Sequence, residues 1–315
     1  MPEKKLISVV FSFRNEEDNL DELIRRTAIA CDQTGHGYEL IFVNDDSRDR
    51  SEEILNRYAA TDSRIKILNM SRRFGVHPCQ IAGIRYAKGD AVIYMDSDLQ
   101  DPPEQIPHMV LQWLQGAQVV HMQRSHRDGE NAAKMWLTEQ AYKTINFFSE
   151  IELPINVGDF KLLDRRVVQE LMTIREEDPY MRGLVCWVGF RQVTLQYRRE
   201  ARHAGETHVP LFGSGPAKEF LRGVTSFSSL PLYLVFFLGV SISVLSIVMI
   251  VMILFWKVMG FNVPGWTGPM TAIFFIGGTL HASIGIVGLY ISRIYNSIKG
   301  RPLYIISNGV NIDNG

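Results

Sequence analysis

Cysteine is scarce in this 315-residue chain, and glycine-rich phosphate loops are missing from it. The three cysteines, Cys31, Cys79 and Cys186, lack the spacing of metal ligands; an odd, scattered set suits a reducing compartment and no disulfide framework. The net charge of −1 argues against binding nucleic acid through bulk electrostatics. The N-terminal residues lead directly into a strand-like run without an apolar signal core, so no secretory signal is expected.

Apolar runs alternate with amphipathic stretches over the first two thirds of the chain. This alternation predicts an α/β domain with a mostly parallel sheet and right-handed crossovers. No Gly-x-Gly-x-x-Gly or Gly-x-x-x-x-Gly-Lys-Ser/Thr motif follows a predicted strand, so a phosphate-bearing ligand is expected to be held by a metal ion and side chains. The predicted strands are 6–13, 38–43, 65–70, 91–95, 118–122 and 191–199.

Two carboxylates, Asp96 and Asp98, directly follow the buried run 91–95, and Pro102-Pro103 fixes the turn after them. A second acidic cluster, around Asp45, follows the strand 38–43. Open α/β sheets bind ligands outside the carboxyl ends of their strands, and hard divalent cations prefer carboxylate oxygens. A lone Asp-x-Asp is more often a solvated acidic loop, but the preceding strand and the prolines here favour a metal site.

Formal charge is almost absent from one long stretch, because Lys257 is the only charged residue between Arg222 and Arg293. The runs 230–256 and 270–292 are long enough to form two transmembrane helices, and 213–229 reads as an amphipathic helix in the interface. The flanking basic residues place both termini in the cytoplasm by the positive-inside rule. The tail 293–315 contains a short apolar segment, 304–306, which we expect to dock on the soluble domain or on a neighbouring subunit.

Four motifs occur in order within the first 104 residues. They are Ser-Val-Val-Phe-Ser-Phe-Arg-Asn-Glu-Glu, Val-Asn-Asp-Asp-Ser-Arg-Asp, Ser-Arg-Arg-Phe-Gly and Asp-Ser-Asp-Leu-Gln-Asp-Pro-Pro-Glu. Together they resemble the inverting GT-A glycosyltransferases of family 2, and most closely the polyprenyl-phosphate branch that includes bactoprenol glucosyltransferases. The resemblance implies a Rossmann-like GT-A catalytic domain over 1–212, followed by the interfacial helix and the two-helix membrane hairpin.

The resemblance also assigns roles to particular residues. Asp159, in the Gly-Asp-Phe-x-Leu-Leu segment, is the candidate base, although it could equally orient the acceptor, whose phosphate is mostly ionised at neutral pH. By the resemblance, Asn15, Glu16, Asp45 and Asp96 bind the nucleotide sugar, and Ser12 beside them is added to this set. The metal set, for Mg²⁺ or Mn²⁺, is Asp96, Asp98 and Gln100, the catalytic pair is Asp159 and Asp96, and Arg202 is expected to contact the pyrophosphate or the acceptor phosphate. Arg124 and Arg127 are added to the phosphate-binding set because they follow the strand 118–122 and a guanidinium suits a phosphate. The family usually has Pro at Ser12, Asn at Arg73 and Lys at His208.

The implied reaction moves glucose from UDP-glucose to undecaprenyl phosphate at the bilayer surface of the plasma membrane, with no nucleic-acid partner. A dolichol-phosphate-mannose-type synthase using GDP-mannose and an aminoarabinose-type transferase share the motifs and stay open. A processive polysaccharide synthase needs more spans and a Gln-x-x-Arg-Trp segment, which is absent. A non-catalytic membrane scaffold is disfavoured by the intact acidic motifs. Self-association, for example as a tetramer, is plausible from the glycine-bearing spans and the apolar tail.

Overall fold

The structure is a computed structural model that describes residues 4–126, 157–174, 176, 179–198 and 267–312, with scattered helical positions between 235 and 259. The chain divides into two compact units. The larger unit consists of Met1–Gly223 together with Pro302–Gly315, and the smaller unit is Val224–Arg301. The aromatic, amphipathic stretch 132–148, for which the sequence predicts a helix partly in the core and partly facing lipid, lies outside the described residues.

The larger unit contains an eight-stranded sheet. Its strands are β1 (Leu6–Phe13), β2 (Gly37–Asn44), β3 (Ile65–Met70), β4 (Ala91–Asp96), β5 (Val119–His126), β6 (Val157–Asp164), β7 (Gln192–Arg198) and β8 (Ile306–Val310). The spatial order is β7-β5-β6-β4-β1-β2-β3-β8. The central strands are buried along almost their whole length, which is typical of strands covered on both faces.

Helices follow the strands as the alternating pattern predicts. Their bounds are α1 (Leu20–Asp32), α2 (Ser51–Thr61), α3 (Val76–Tyr86), α4 (Ile106–Leu114), α5 (Arg165–Thr173) and α6 (Met181–Trp187), with a short 3₁₀ turn at Pro103–Gln105. In α1 the buried residues Leu20, Leu23, Ile24 and Thr27 recur at three- and four-residue spacing and form the face that packs on the sheet.

The sheet is mostly parallel, as predicted. β1 pairs in parallel with β2 and β4, β2 with β3, and β5 with β7. β6 is antiparallel to both of its neighbours, β4 and β5. Because β6 runs in the opposite direction, its first residues lie at the same edge as the carboxyl ends of β4, β5 and β7. This inserted strand was not predicted from the sequence.

The C-terminal strand β8 pairs antiparallel with β3, so the expectation that residues near Ile306 dock on the soluble domain is confirmed. The backbone of Ser71 donates a hydrogen bond to the carbonyl oxygen of Ile305 at 2.9 Å. The side-chain nitrogen of Asn311 donates to the carbonyl oxygens of Ala59 and Ile65 at 2.8 and 2.9 Å. The tail therefore completes the edge of the sheet beyond β3.

The smaller unit contains a long helix, α7 (Thr267–Lys299). Within the residues that the structure describes, one segment, Phe275–Lys299, is long and apolar enough to cross a membrane, and none of its most apolar window is buried inside the protein. This segment overlaps the predicted second span 270–292. The first predicted span, 230–256, is described only at scattered positions, so the two-helix hairpin stays a prediction.

Candidate functional site

The register of the sheet brings the predicted site residues to one edge. Ser12 of β1 lies beside Asp96 of β4, and Phe13 lies beside Asn44, the residue before Asp45. In the antiparallel pairing of β4 with β6, Tyr94 lies opposite Lys161. Asp96 is two residues after Tyr94 and Asp159 is two residues before Lys161, so both aspartates lie toward the same edge of the sheet. The carboxyl ends of parallel strands and the start of an antiparallel one thus form a common cleft.

The loop after β4 has an unusual backbone. Leu99 lies in the left-handed region with φ 59°, although its side chain is buried. A branched side chain rarely adopts this conformation, and such positions cluster at functional sites. The amide of Gln100 donates a hydrogen bond to Asp98 Oδ1 at 3.1 Å, which stabilises the tight turn. The turn directs the short segment from Asp96 to Asp101 around the end of the strand.

Negative charge is concentrated around Asp96. The pKa of Asp96 is raised to about 7: burial is the largest cause, the neighbouring carboxylates of Asp101, Asp159 and Asp98 add to it, and Arg124 opposes the shift. Like charges this close disfavour one another's ionised forms. The site therefore has an excess of carboxylate oxygens that a bound cation would offset.

The chemistry of the Asp96, Asp98 and Gln100 set fits a hard divalent cation. Mg²⁺ is typically bound through one or two protein carboxylates, with substrate phosphates and water completing the shell. Within the part of the chain that the structure describes, no group of three or more His, Cys, Asp and Glu side chains is placed to hold a metal ion together. The predicted set, with two carboxylates and an amide, is consistent with a metal that needs the substrate as a further ligand.

The predicted nucleotide-binding residues are fixed by hydrogen bonds among the segments that follow β1, β2 and β3. Asn15 has φ 54° and accepts a hydrogen bond from the Arg48 amide at 2.8 Å. The amide of Glu16 donates to Ser51 Oγ at 3.0 Å. Asp45 accepts from the amide of Phe74 at 2.6 Å. These contacts tie the ends of β1, β2 and β3 into one rigid rim.

Ser12 contributes a buried hydroxyl at this rim. Its Oγ has no hydrogen-bond partner within the described residues, whereas its carbonyl oxygen accepts a bond from Ser97 Oγ at 3.3 Å. A buried hydroxyl without a partner is costly, so such groups often await a ligand or water. The Ser12 hydroxyl can both donate and accept a hydrogen bond, so it offers a polar contact to a ligand at this rim.

Asp159 is buried and forms a two-point ion pair. Arg182 Nε donates to Asp159 Oδ1 at 3.0 Å, and Arg182 Nη2 donates to Oδ2 at 2.7 Å. Burial alone would raise the pKa of Asp159, but Arg182, Lys161 and His77 outweigh it and hold the pKa below its usual value. A carboxylate held as an anion in this way is a weak base, which favours an orienting role over proton abstraction.

A fully buried lysine lies beneath this ion pair. Lys161 Nζ donates to the carbonyl oxygen of Gly158 at 2.9 Å and lies 5.8 Å from the centre of the Tyr94 ring. Burial lowers the pKa of Lys161 to about 8, although the nearby Asp159 opposes the shift. Lys161 therefore adds to the positive charge that Arg182 places beside the Asp159 carboxylate.

Arg124 is part of a second buried network. Its Nε donates to the Tyr197 hydroxyl at 3.1 Å, and that hydroxyl donates to the fully buried Asp101. Arg124 Nη2 lies 3.7 Å from Asp101 Oδ1. A Cβ atom at Gly158 would lie 2.8 Å from the Arg124 guanidinium, so any other residue there would require the guanidinium to shift. The structure places Arg124 at the predicted edge, where Asp101 and Tyr197 already engage it.

Arg127 and Arg202 lie outside the described residues. The motifs did not single out Arg182, Lys161, Asp101 or Tyr197. Asp101 could have been noticed as a carboxylate in the same acidic motif. For Arg182, no spacing signal connects it to Asp159, because the pair forms only when α6 packs against β6.

Comparison with known proteins defines the family. A family model for glycosyl transferase family 2 matches residues 8–172. The chain belongs to this family. The uncharacterized glycosyltransferase YkcC of Bacillus subtilis is 39% identical over 308 residues, with 98% of this chain and 95% of YkcC covered. The SfII prophage-derived bactoprenol glucosyl transferase of Shigella flexneri is 36% identical over 302 residues, with 95% of this chain and 97% of the relative covered.

The fold of this family 2 enzyme is also found among solved structures. Glucosyl-3-phosphoglycerate synthase from Mycobacterium tuberculosis, solved with Mn²⁺, UDP-glucose and phosphoglyceric acid, superposes with a TM-score of 0.50 at 21% identity. The match covers 70% of this chain and 79% of the synthase. This likeness supports the GT-A type of α/β fold that the motifs predict. The family model and the relatives show that the protein is a glycosyltransferase.

Proposed function

We propose that this enzyme transfers glucose from UDP-glucose to undecaprenyl phosphate or a similar polyprenyl phosphate, with inversion at the anomeric carbon and with the help of a divalent metal ion. The observation that carries the proposal is similarity to bactoprenol glucosyl transferases along nearly the whole chain. The site supports it, because carboxylates, a buried hydroxyl and a rigid polar rim converge at the edge where GT-A enzymes bind nucleotide sugars.

In the proposed reaction, an oxygen of the acceptor phosphate forms a bond to the anomeric carbon of glucose. The bond from that carbon to the UDP oxygen breaks, and its electron pair leaves with UDP. Asn15, Glu16 and Asp45 would bind the nucleotide, and Asp96, Asp98 and Gln100 would hold the metal. A Mg²⁺ or Mn²⁺ ion bound there supplies charge stabilisation for the departing UDP.

No strong base is required in this reaction. The acceptor phosphate has its second pKa near ~6, so its oxygen is already ionised at neutral pH. We therefore assign to Asp159 the role of orienting the acceptor. We assign the binding of the acceptor phosphate or the pyrophosphate to the positive charges of Arg124, Arg127 and Arg202. The apolar helix α7 and the predicted first span would hold the site at the plasma membrane, with the catalytic domain in the cytoplasm.

The test uses the purified full-length chain in detergent with undecaprenyl phosphate, Mg²⁺ and a panel of radiolabelled nucleotide sugars. Product is measured as counts that enter the organic phase, with a control that lacks the lipid. Transfer from UDP-glucose supports the proposal. Transfer from GDP-mannose alone would keep the fold and the acceptor but move the enzyme to the mannose branch, and no transfer from any donor would overturn the proposal.

A further inference from the structure

Arg182 contacts both oxygens of the Asp159 carboxylate, with distances of 3.0 and 2.7 Å. A guanidinium that meets a carboxylate at two points fixes both the position and the plane of the carboxylate, which a lysine ammonium does not do. Asp159 is nearly inaccessible to solvent, whereas the Arg182 side chain is 29% exposed. The pair therefore lies at a wall of the cleft, with the arginine on its outer side.

The backbone that carries Arg182 is itself firmly placed. Arg182 is the second residue of α6, and its neighbours Met181 and Gly183 are both buried. The next turn of α6 buries Leu184 and Val185 as well. Because the helix is anchored on both sides of Arg182, its guanidinium has a fixed point from which to reach Asp159.

Charged groups approach Asp159 from several elements. Lys161 comes from β6, His77 from α3 and Asp96 from β4, in addition to Arg182 from α6. The Lys161 ammonium donates to the Gly158 carbonyl oxygen. Arg182 donates to each oxygen of the Asp159 carboxylate, so its fork can set the orientation of that carboxylate.

We propose that Arg182 is a positioning residue for the transfer reaction, which holds the Asp159 carboxylate in one orientation at the wall of the cleft beside Asp96. The inference rests on the proposed function of this site. In this proposal Arg182 influences turnover only by orienting the Asp159 carboxylate. Loss of Arg182 should therefore slow turnover and leave donor binding intact, since the nucleotide rim is built from other elements.

The experiment is a double-mutant cycle on the full-length chain, with Arg182→Met, Asp159→Asn and the combined variant. The donor is the one that the nucleotide-sugar panel selects, and kcat and the donor KM are measured separately. Arg182→Met should lower kcat by about 10- to 100-fold with an unchanged donor KM, as is typical when the partner that orients a site residue is lost. In the Asp159→Asn background the same change should cause no further loss.

Arg182→Lys keeps the charge but not the fork, so it should recover part of the kcat that Arg182→Met loses; it also carries the test if Arg182→Met does not fold. The exposed Arg166→Met on α5 is the matched control. Unchanged kcat, an additive loss in the Asp159→Asn background, or a raised donor KM with normal kcat would each overturn the inference. A wild type that uses another donor overturns only the proposed donor, and a wild type without any transfer overturns both proposals.

Discussion

A substitution of Asp98 should affect the transfer reaction without affecting the stability of the fold. The Asp98 side chain is partly exposed and accepts the Gln100 amide hydrogen bond, which is worth about 1 kcal/mol. We expect Asp98→Ala to reduce transfer by about 100-fold or more through loss of a metal ligand. The melting temperature should stay close to that of the wild type. Transfer and thermal unfolding are measured on the same preparation.

The exposed Asp32→Ala, at the end of α1, is the matched control for Asp98→Ala. It removes a carboxylate far along the chain from the acidic motif and should leave transfer unchanged. Normal turnover in Asp98→Ala would remove Asp98 from the metal set. A large loss of thermal stability would instead show that the carboxylate serves the fold.

His121 makes the stability of the enzyme depend on acidic pH. Burial and the nearby Lys161 lower its pKa from 6.5 to about 4 in the folded protein. Above pH 6.5 the ring is neutral in both the folded and the unfolded chain. As pH falls from 6.5 toward 4, the unfolded chain binds a proton that the folded chain does not, so the free energy of unfolding decreases, by roughly 3 kcal/mol at most.

The measurement compares the melting temperatures of the wild type and His121→Asn between pH 4 and 8. The variant should lose less stability than the wild type as the pH falls below 6.5, although it starts lower because the bond between His121 and Gln192 is changed. The exposed His108→Asn on α4 is the control. Parallel curves for wild type and His121→Asn would contradict the assignment.

At the scale of elements, Asn311 follows β8 directly and adds two hydrogen bonds to the pairing of β8 with β3, and its conformation and its contacts can be tested separately. Asn311 has φ 57° and donates to the carbonyl oxygens of Ala59 and Ile65. Asn311→Gly keeps the backbone conformation and loses the two bonds, which should cost about 1–2 kcal/mol. Asn311→Ala loses the bonds and also strains the backbone, so it should cost about 1 kcal/mol more.

Thermal unfolding and limited proteolysis of the tail would measure both variants. The order wild type, Asn311→Gly, Asn311→Ala is expected for the melting temperature, and the tail should be cleaved fastest in Asn311→Ala. If the two variants were equal, the backbone conformation would carry no cost and the hydrogen bonds would explain the whole effect. If neither differed from the wild type, the attachment of β8 would not depend on Asn311.

The elements that could be predicted from the sequence are those whose pattern is local. The bounds of β1 and β3 agree with the apolar runs 6–13 and 65–70, because a strand buried on both faces is a continuous apolar run. β6 was missed because it carries a buried Asp159 and a buried Lys161, which interrupt that pattern. α6 was missed because seven residues are too few to show a helical period.

The same distinction applies to the site. The proximity of Asp45 and Asp96 could be predicted from the sequence, because each lies at the carboxyl end of a strand of the same parallel sheet. The pairs Arg182–Asp159 and Tyr197–Asp101 join residues 23 and 96 positions apart. Their contacts depend on where α6 lies relative to β6 and on the pairing of β7 with β5 at one end of the sheet, and no local pattern encodes either placement. The sequence therefore predicted the acidic motif and missed the partners that fix it.

At the scale of the whole molecule, the proposed reaction requires that the water-soluble donor and the lipid acceptor meet in one site. A polyprenyl phosphate keeps its head group at the bilayer surface, so a catalytic unit anchored beside the bilayer meets it without extracting it. Two spans would also return the chain to the cytoplasm, so the residues that follow the second span would lie on the same side of the membrane as the catalytic domain. β8 belongs to the larger unit, which requires residues 302–315 to be on the same side as the catalytic domain.

The membrane segment should therefore cross the bilayer twice, with the residues before and after it in the cytoplasm. Alkaline phosphatase fused after Gly265 should be active in the periplasm of a bacterial host, whereas fusions after Gly223 and Gly315 should be inactive. A fluorescent protein fused after Gly315 should fluoresce, since it folds in the cytoplasm. Active phosphatase at Gly315 would mean an odd number of spans, and this would separate β8 from the β3 strand with which it pairs.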